Sequence, residues 1–248
     1  ALTGLALDRA RLFAQEREAR EALERADELK GEFVALAAHE LRSPVGAIYG
    51  LSETLAERRE SLAPGQVEEL QETLRGQIRR LRELVEQLLD LSRLDADAVT
   101  INPTRVRVRD RLEEIVQSVS PLTDAVGVEA DPALEADVDV EALERIVSNL
   151  VANAFRYGEP PVKVSARTSG GLLRVTVEDR GPGVPVEFVP RLFERFARSE
   201  RTAAAAIGTG LGLAIARSYA RAHRGDVSYE PAAPRGAAFV LTLPAFEC

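Results

Sequence analysis

The sequence predicts two parts of different class. The first is an α-helical hairpin that forms a dimeric four-helix bundle; the second is an α/β sandwich, a sheet with helices on one face. Three observations carry this. Residues 1–96 hold 6 Gly and 2 Pro, whereas residues 97–248 hold 11 of each. Apolar residues of the first part recur in heptads, as packed helices require. Beyond residue 97 the apolar spacing switches back and forth between strand and helix periods.

Composition bounds the rest. The chain has 248 residues, 45% hydrophobic and 29% charged, which is globular composition. Aromatics are only 5%, so the cores are built from Leu, Ala, Val and Ile. Residues 1–96 carry 14 basic and 19 acidic side chains and residues 97–248 carry 18 and 21, a balance that argues against a nucleic-acid partner. The lone cysteine, Cys248, excludes an internal disulfide or a cysteine metal site, and two histidines make a multi-histidine site improbable. No apolar run approaches the roughly 20 residues that cross a bilayer, and no signal peptide opens the chain. A cytoplasmic fragment is the expectation, from a parent protein either soluble or membrane-tethered. The absence of methionine indicates a piece of something longer.

In the first helix, Leu12, Ala19, Ala26 and Phe33 form one series and Ala22, Leu29 and Leu36 the other. Continued by seven, the first series lands on Glu40, beside His39. Ser61–Gly65 is a turn-forming cluster. The second helix aligns Val67, Leu74, Leu81 and Leu88 with Leu70, Leu84 and Leu91, interrupted at Gln77. A hairpin with so wide an apolar stripe cannot cover it alone, which predicts the homodimer.

From residue 97, VTINPTRVRV reads as a strand and Arg109–Val119 as a helix. Val140–Tyr157 is a second helix, buried along Leu143, Ile146, Val147, Leu150, Val151 and Ala154. PVKVSAR and LLRVTVEDR form a hairpin around Ser169-Gly170-Gly171. A Gly/Pro loop, a short helix at Val186–Phe196 and an irregular stretch to Gly208 follow. The chain then reads as a helix from Leu211 to His223, with strands near Asp226–Glu230 and Ala237–Leu243.

Four constellations carry chemistry. In His39-Glu40-Leu41-Arg42-Ser43-Pro44, an imidazole on a helix surface is a usable nucleophile near neutral pH. Glu40 can accept its proton or hold its tautomer, Ser43 lies one turn on, where a hydroxyl can orient a water, and Pro44 bends the helix. A lone surface histidine is more often inert, and it is the setting that raises this one. Asn149 and Asn153 stand i, i+4 in an apolar helix, with Arg156 and Tyr157 after them. Such amides need partners, and hydrated Mg²⁺ with phosphate oxygens would supply them. Asp179-Arg180-Gly181-Pro182-Gly183 follows a strand, where a carboxylate can receive an adenine amino group; alone the pattern is as often a turn. Gly208-Thr209-Gly210-Leu211-Gly212 opens a helix and offers free N–H groups to a phosphate. It lacks the Lys-Ser/Thr of a Walker A loop and the leading strand of a dinucleotide fingerprint. The segment between, with Phe193, Phe196, Arg198 and the alanines of 202–207, reads as a mobile lid.

In this order the motifs resemble those of the sensor histidine kinases of bacterial two-component systems, over roughly residues 30–245. AHELRSP resembles the phosphoacceptor box, SNLVANAFRYG the N box, VEDRGPGV the first glycine box, LFERFAR the F box and GTGLGLAIAR the second glycine box. The resemblance implies a Bergerat-type ATP-binding domain at 97–248, a dimerisation and phosphotransfer hairpin at 31–96 and a signalling coiled-coil helix at 1–30. It implies that ATP phosphorylates His39 with Glu40 as base, and that the phosphoryl group passes to an aspartate on a response regulator receiver domain. By the same resemblance Asn153 holds Mg²⁺ with Asn149 nearby, Arg156 and Arg198 contact phosphates, and Tyr157 lies near the adenosine. Asp179 reads adenine between Gly181 and Gly183, and Gly208, Thr209, Gly210, Leu211 and Gly212 line the triphosphate side. Phosphatase activity towards the regulator would use Ser43, where the subfamily more often has Thr or Asn. The hinge falls near Asp95–Ala98, and His223 matches a structural position. GLALDRARLFAQE resembles the last helix of a GAF-type sensor, so the upstream sensor domain is missing from this chain.

Two readings compete with this. One is a non-catalytic dimeric scaffold that binds nucleotide. The other is a gyrase-, mismatch-repair- or chaperone-type ATPase, which would want a glutamate where Asn149 stands.

Overall fold

The computed structural model describes residues 16, 17, 20, 31, 34, 35, 37–95, 99–119, 125–199 and 209–244. The leading heptad series, the alanines of 202–207, Gly208 and the hinge residues 96–98 lie outside the described residues. The chain divides into two compact units between Glu86 and Gln87.

In the first unit, residues 37–58 form helix α1, which continues through Pro44. A 3₁₀ turn at Arg59–Ser61 ends it, and Ser61 Oγ donates to the Arg58 carbonyl at 2.8 Å. Helix α2 is Pro64–Asp95. Its start is capped from within: Gln66 Oε1 accepts the Ala63 N–H at 3.0 Å, while Gln66 N donates to the Ala63 carbonyl. Leu84 and Leu91 are buried, whereas Ile78, Val85 and Leu89 on α2 and Val45 and Tyr49 on α1 are exposed.

Among the described residues, the second unit is a five-stranded sheet under three helices. Strands are β1 (Thr104–Arg107), β2 (Val126–Ala130), β3 (Glu135–Val138), β4 (Val162–Ser169), β5 (Leu172–Glu178), β6 (Asp226–Pro231) and β7 (Ala237–Pro244). Helices are α3 (Val108–Val119), α4 (Val140–Tyr157) and α5 (Gly212–Ala222). The main sheet runs β2-β4-β5-β7-β6, with β2 parallel to β4 and the other pairs antiparallel, and β1 and β3 form a separate antiparallel pair. Along β4 and β5 buried residues alternate with half-buried ones, so one face is covered. Val164, Leu173, Val175 and Val177 on that face are buried, as are Leu143, Ile146 and Leu150 of α4, which packs on β4 and β5, and Ile215 and Ala216 of α5, which packs on α4.

Several sequence expectations shift. The first strand shrinks to Thr104–Arg107, because the Asn102 N–H is committed to Asp139 Oδ2 at 2.7 Å and Pro103 has no N–H. The short helix at 186–196 is a 3₁₀ turn of Val186–Arg191 containing Pro190, and Leu211 caps α5 instead of joining it. Strands β2 and β3 were not anticipated.

Asp139 organises this end of the unit. Its Oδ1 accepts the Ala142 N–H at 2.8 Å, capping α4, and its own N–H donates to Nε2 of buried His223 at 3.0 Å. His223 therefore joins the end of α5 to the start of α4, a structural role.

Candidate functional site

In the first unit, His39, Glu40 and Ser43 lie on α1, His39 and Ser43 exposed and Glu40 half-buried. Among the described residues the His39 imidazole has no hydrogen-bond partner. Glu40 Oε2 accepts from Arg80 of α2 at 3.4 Å, an ion pair across the hairpin. A solvent-facing imidazole with a carboxylate next to it in sequence can act as a nucleophile once that carboxylate is free to receive its proton.

In the second unit, Asp179 lies just past the end of β5, 3% exposed. Its N–H donates to the Ala237 carbonyl at 2.9 Å, and its Oδ1 accepts the Gly181 N–H at 2.8 Å. Burial pushes its carboxyl above the ordinary range, the backbone N–H groups of Gly181 and Ala237 oppose this, and Glu178 and Glu159 add to it. Three glycines make room for it. A Cβ on Gly158 would fall 2.3 Å from the Asp179 Cγ, one on Gly181 2.6 Å from the Gly158 Cα, and one on Gly236 1.9 Å from the Asp179 carbonyl oxygen. Gly158 has φ −94°, so it is needed for space rather than for backbone freedom. Arg235 binds the two walls together: its Nε donates to the Gly181 carbonyl at 3.1 Å, and an NH2 donates to Glu159 at 2.6 Å. A Cβ on Gly183 would lie 3.0 Å from the Gly236 carbonyl oxygen.

Helix α4 supplies the amides. Asn149 Nδ2 donates to the Arg145 carbonyl at 2.7 Å, and a Cβ on Gly212 would approach Asn149 Oδ1 to 2.8 Å. Asn149 is thus occupied at the α4–α5 contact. The side chain of Asn153, one turn on and half-buried, has no hydrogen-bond partner among the described residues. Tyr157 is half-buried, while Arg156 and Arg198 are exposed. An open amide oxygen suits Mg²⁺, which keeps several waters and takes few protein ligands. Among the described residues no cluster of three His, Cys, Asp or Glu could hold a metal instead.

Thr209, Gly210, Leu211 and Gly212 precede α5. Gly210 adopts φ +71° and its carbonyl accepts the Phe196 N–H at 2.9 Å, while a Cβ on it would meet the Phe196 carbonyl carbon at 2.7 Å. Thr209 Oγ1 accepts the Leu211 N–H at 3.2 Å. Sequence reasoning missed Gly236, which approaches Asp179 from between β6 and β7, Glu159, which acts on it from beyond α4, and Arg235, which ties Glu159 to the Gly181 carbonyl. No local pattern marks such long-range neighbours. Gly158 was quoted only as the end of a motif; a glycine directly after a helix was the available signal.

Comparison with known proteins follows the same division. Residues 29–97 match the His Kinase A (phospho-acceptor) domain family, and residues 138–247 match the histidine kinase-, DNA gyrase B- and HSP90-like ATPase family. The signal transduction histidine-protein kinase AfsQ2 of Streptomyces coelicolor is 34% identical over 221 residues, 86% of this chain and 41% of that protein. The chain therefore spans about two fifths of the length of that relative. Full-length ShkA, solved with AMPPNP, superposes with a TM-score of 0.62 at 26% identity, covering 88% of this chain and 46% of that one. The histidine kinase ThkA, solved in complex with the response regulator TrrA, shares the fold with a TM-score of 0.66 at 21% identity, covering 94% of this chain and 66% of that one.

Proposed function

We propose that the chain belongs to the sensor histidine kinases of two-component systems, and that it moves the γ-phosphoryl group of ATP to His39 and then to an aspartate of a response regulator receiver domain. The observation that carries this is the pairing, in one chain, of an exposed imidazole on a hairpin helix with a buried carboxylate walled by three glycines.

In this account the adenine amino group donates to Asp179, in the space kept open by Gly158, Gly181 and Gly236. Tyr157 lies along the adenosine, and Gly208, Thr209, Gly210, Leu211 and Gly212 face the triphosphate, with Gly183 shaping the pocket. Arg156 and Arg198 offset the charge of the phosphates. Mg²⁺, held through Asn153 with Asn149 alongside, would neutralise the triphosphate when bound. A ring nitrogen of His39 attacks the γ-phosphorus, an N–P bond forms, the bond to the bridging oxygen breaks, and ADP leaves. Glu40, released from Arg80, takes the proton from the other ring nitrogen. Ser43 would orient a water for removal of the phosphoryl group from the regulator.

The working form is a homodimer. The exposed Ile78, Val85 and Leu89 of α2, spaced by seven and four, support a seam for a second copy. We place the chain in the cytoplasm, downstream of a sensor domain; among the described residues no helix is long and apolar enough to cross a membrane.

Incubation with γ-labelled ATP and Mg²⁺ tests the function. Wild type takes up label, His39→Ala takes up none while still binding nucleotide, and Asn153→Ala loses the Mg²⁺-dependent uptake. Label on His39→Ala equal to wild type would refute the assignment.

A further inference from the structure

The last turns of α2 carry polar groups that the account so far does not use. Thr209 Oγ1 donates to Gln87 Oε1 at 2.7 Å, and Tyr219 OH donates to Asp90 Oδ1 at 2.9 Å. An Arg145 guanidinium nitrogen lies 3.5 Å from Asp90 Oδ2. Asp90 is 3% exposed and Leu91 fully buried, so this end of the helix is part of the second unit's core. Burial and the Asp90 hydrogen bond push the Tyr219 hydroxyl up to about 12, which keeps it a donor throughout the physiological range.

Each bond leads to a wall of the nucleotide site. Thr209 has one hydroxyl proton. Given to Gln87, it leaves the oxygen lone pairs directed at the Leu211 N–H, where α5 begins. Asp90 engages Arg145 and Tyr219, which stand on α4 and α5 respectively. The Arg145 carbonyl receives Asn149, and Asn149 in turn sits against Gly212. Gln87 and Asp90 therefore brace the loop and the helix pair from one side.

We propose that Gln87 and Asp90 are positioning residues of the nucleotide site. They hold the Thr209–Gly212 loop and the α4–α5 pair in the shape that receives the phosphates, so nucleotide affinity depends on how the end of α2 is held. This rests on the reading of that loop as the phosphate side of the site. Linkage makes the effect reciprocal: bound nucleotide tightens the helix end by the same factor.

The test uses the whole chain with ATP and its non-hydrolysable analogue AMPPNP. Gln87→Ala and Tyr219→Phe are each expected to weaken AMPPNP binding and raise KM for ATP by about three- to tenfold, the loss of one hydrogen bond, with a much smaller change in the rate at saturating ATP. The double variant Thr209→Ala/Gln87→Ala should bind no more weakly than Thr209→Ala alone, and AMPPNP should slow amide exchange in residues 87–95. Wild-type affinity in folded Gln87→Ala and Tyr219→Phe, or fully additive losses in the double variant, would overturn the proposal. Asp179→Asn separates the two levels. If it too binds AMPPNP as wild type does, the nucleotide-site reading itself fails; if it loses binding while Gln87→Ala does not, only the present proposal falls.

Discussion

Asp179 is a carboxylate kept where carboxylates are costly. Burial raises its pKa, so between the unfolded and folded values the folded chain holds a proton that the unfolded chain has lost. The contribution to stability is whole below the unfolded carboxylate value and declines as pH rises through the raised one. Asp179→Asn, which cannot ionise, is accordingly expected to raise Tm at pH 7–8 and to lose that advantage as pH falls towards about 4, while weakening ATP binding. Thermal melts across pH check this, and a lower Tm for the variant at every pH would contradict it. On the hairpin, Glu40→Gln should slow phosphorylation of His39 by about 10²-fold with ATP affinity unchanged, measured as rate at saturating ATP against Kd. At this scale the sequence was most informative where a residue type is rare in its setting: His39, Asp179 and the paired asparagines all stood out. What surrounds them did not. Gly236 reaches Asp179, and Arg235 the neighbouring Gly181, only through β-sheet pairing, and Arg80 reaches Glu40 only through the hairpin crossing.

Among elements, the α4–α5 contact is the tightest link between helix packing and the candidate site. A methyl group at Gly212 would meet Asn149 Oδ1 at 2.8 Å, and the Asn149 amide, held by the Arg145 carbonyl, would have to shift. Gly212→Ala is expected to cost about 1–3 kcal/mol and to weaken nucleotide binding, read by denaturant unfolding and by titration with AMPPNP. Element type was legible wherever periodicity was long: α4 runs Val140–Tyr157, the range its apolar spacing predicts. Strands β2 and β3 escaped notice because they are only five and four residues long, too short for a two-residue period to stand out from the surrounding loop residues. The turn at 186–196 was overread as a helix because Leu192, Phe193 and Phe196 have helical spacing, although Pro190 limits the 3₁₀ segment to Val186–Arg191.

At the scale of the molecule, the exposed apolar seam on α2 predicts association. A solution mass near twice 27.0 kDa is expected, and Ile78→Glu with Val85→Glu should shift it towards the single chain without loss of helix. A single-chain mass for wild type at micromolar concentration would contradict the seam. The two-part organisation was legible from composition alone, because a glycine- and proline-poor heptad segment cannot share a fold with a segment of short alternating elements. The bracing of the nucleotide unit by Gln87 and Asp90 was not, since both residues sit within an uninterrupted helical pattern and their partners lie over a hundred residues away.

The central claim, that ATP phosphorylates His39 itself, is tested most directly by mapping the modification. The chain is incubated with ATP and Mg²⁺, digested at alkaline pH, where a phosphoramidate survives, and its peptides are sequenced by mass spectrometry. The account predicts one phosphoryl group on the peptide containing His39, lost on brief acid treatment and absent from His39→Ala. A phosphoryl group on any other residue, or one that resists acid, would contradict it.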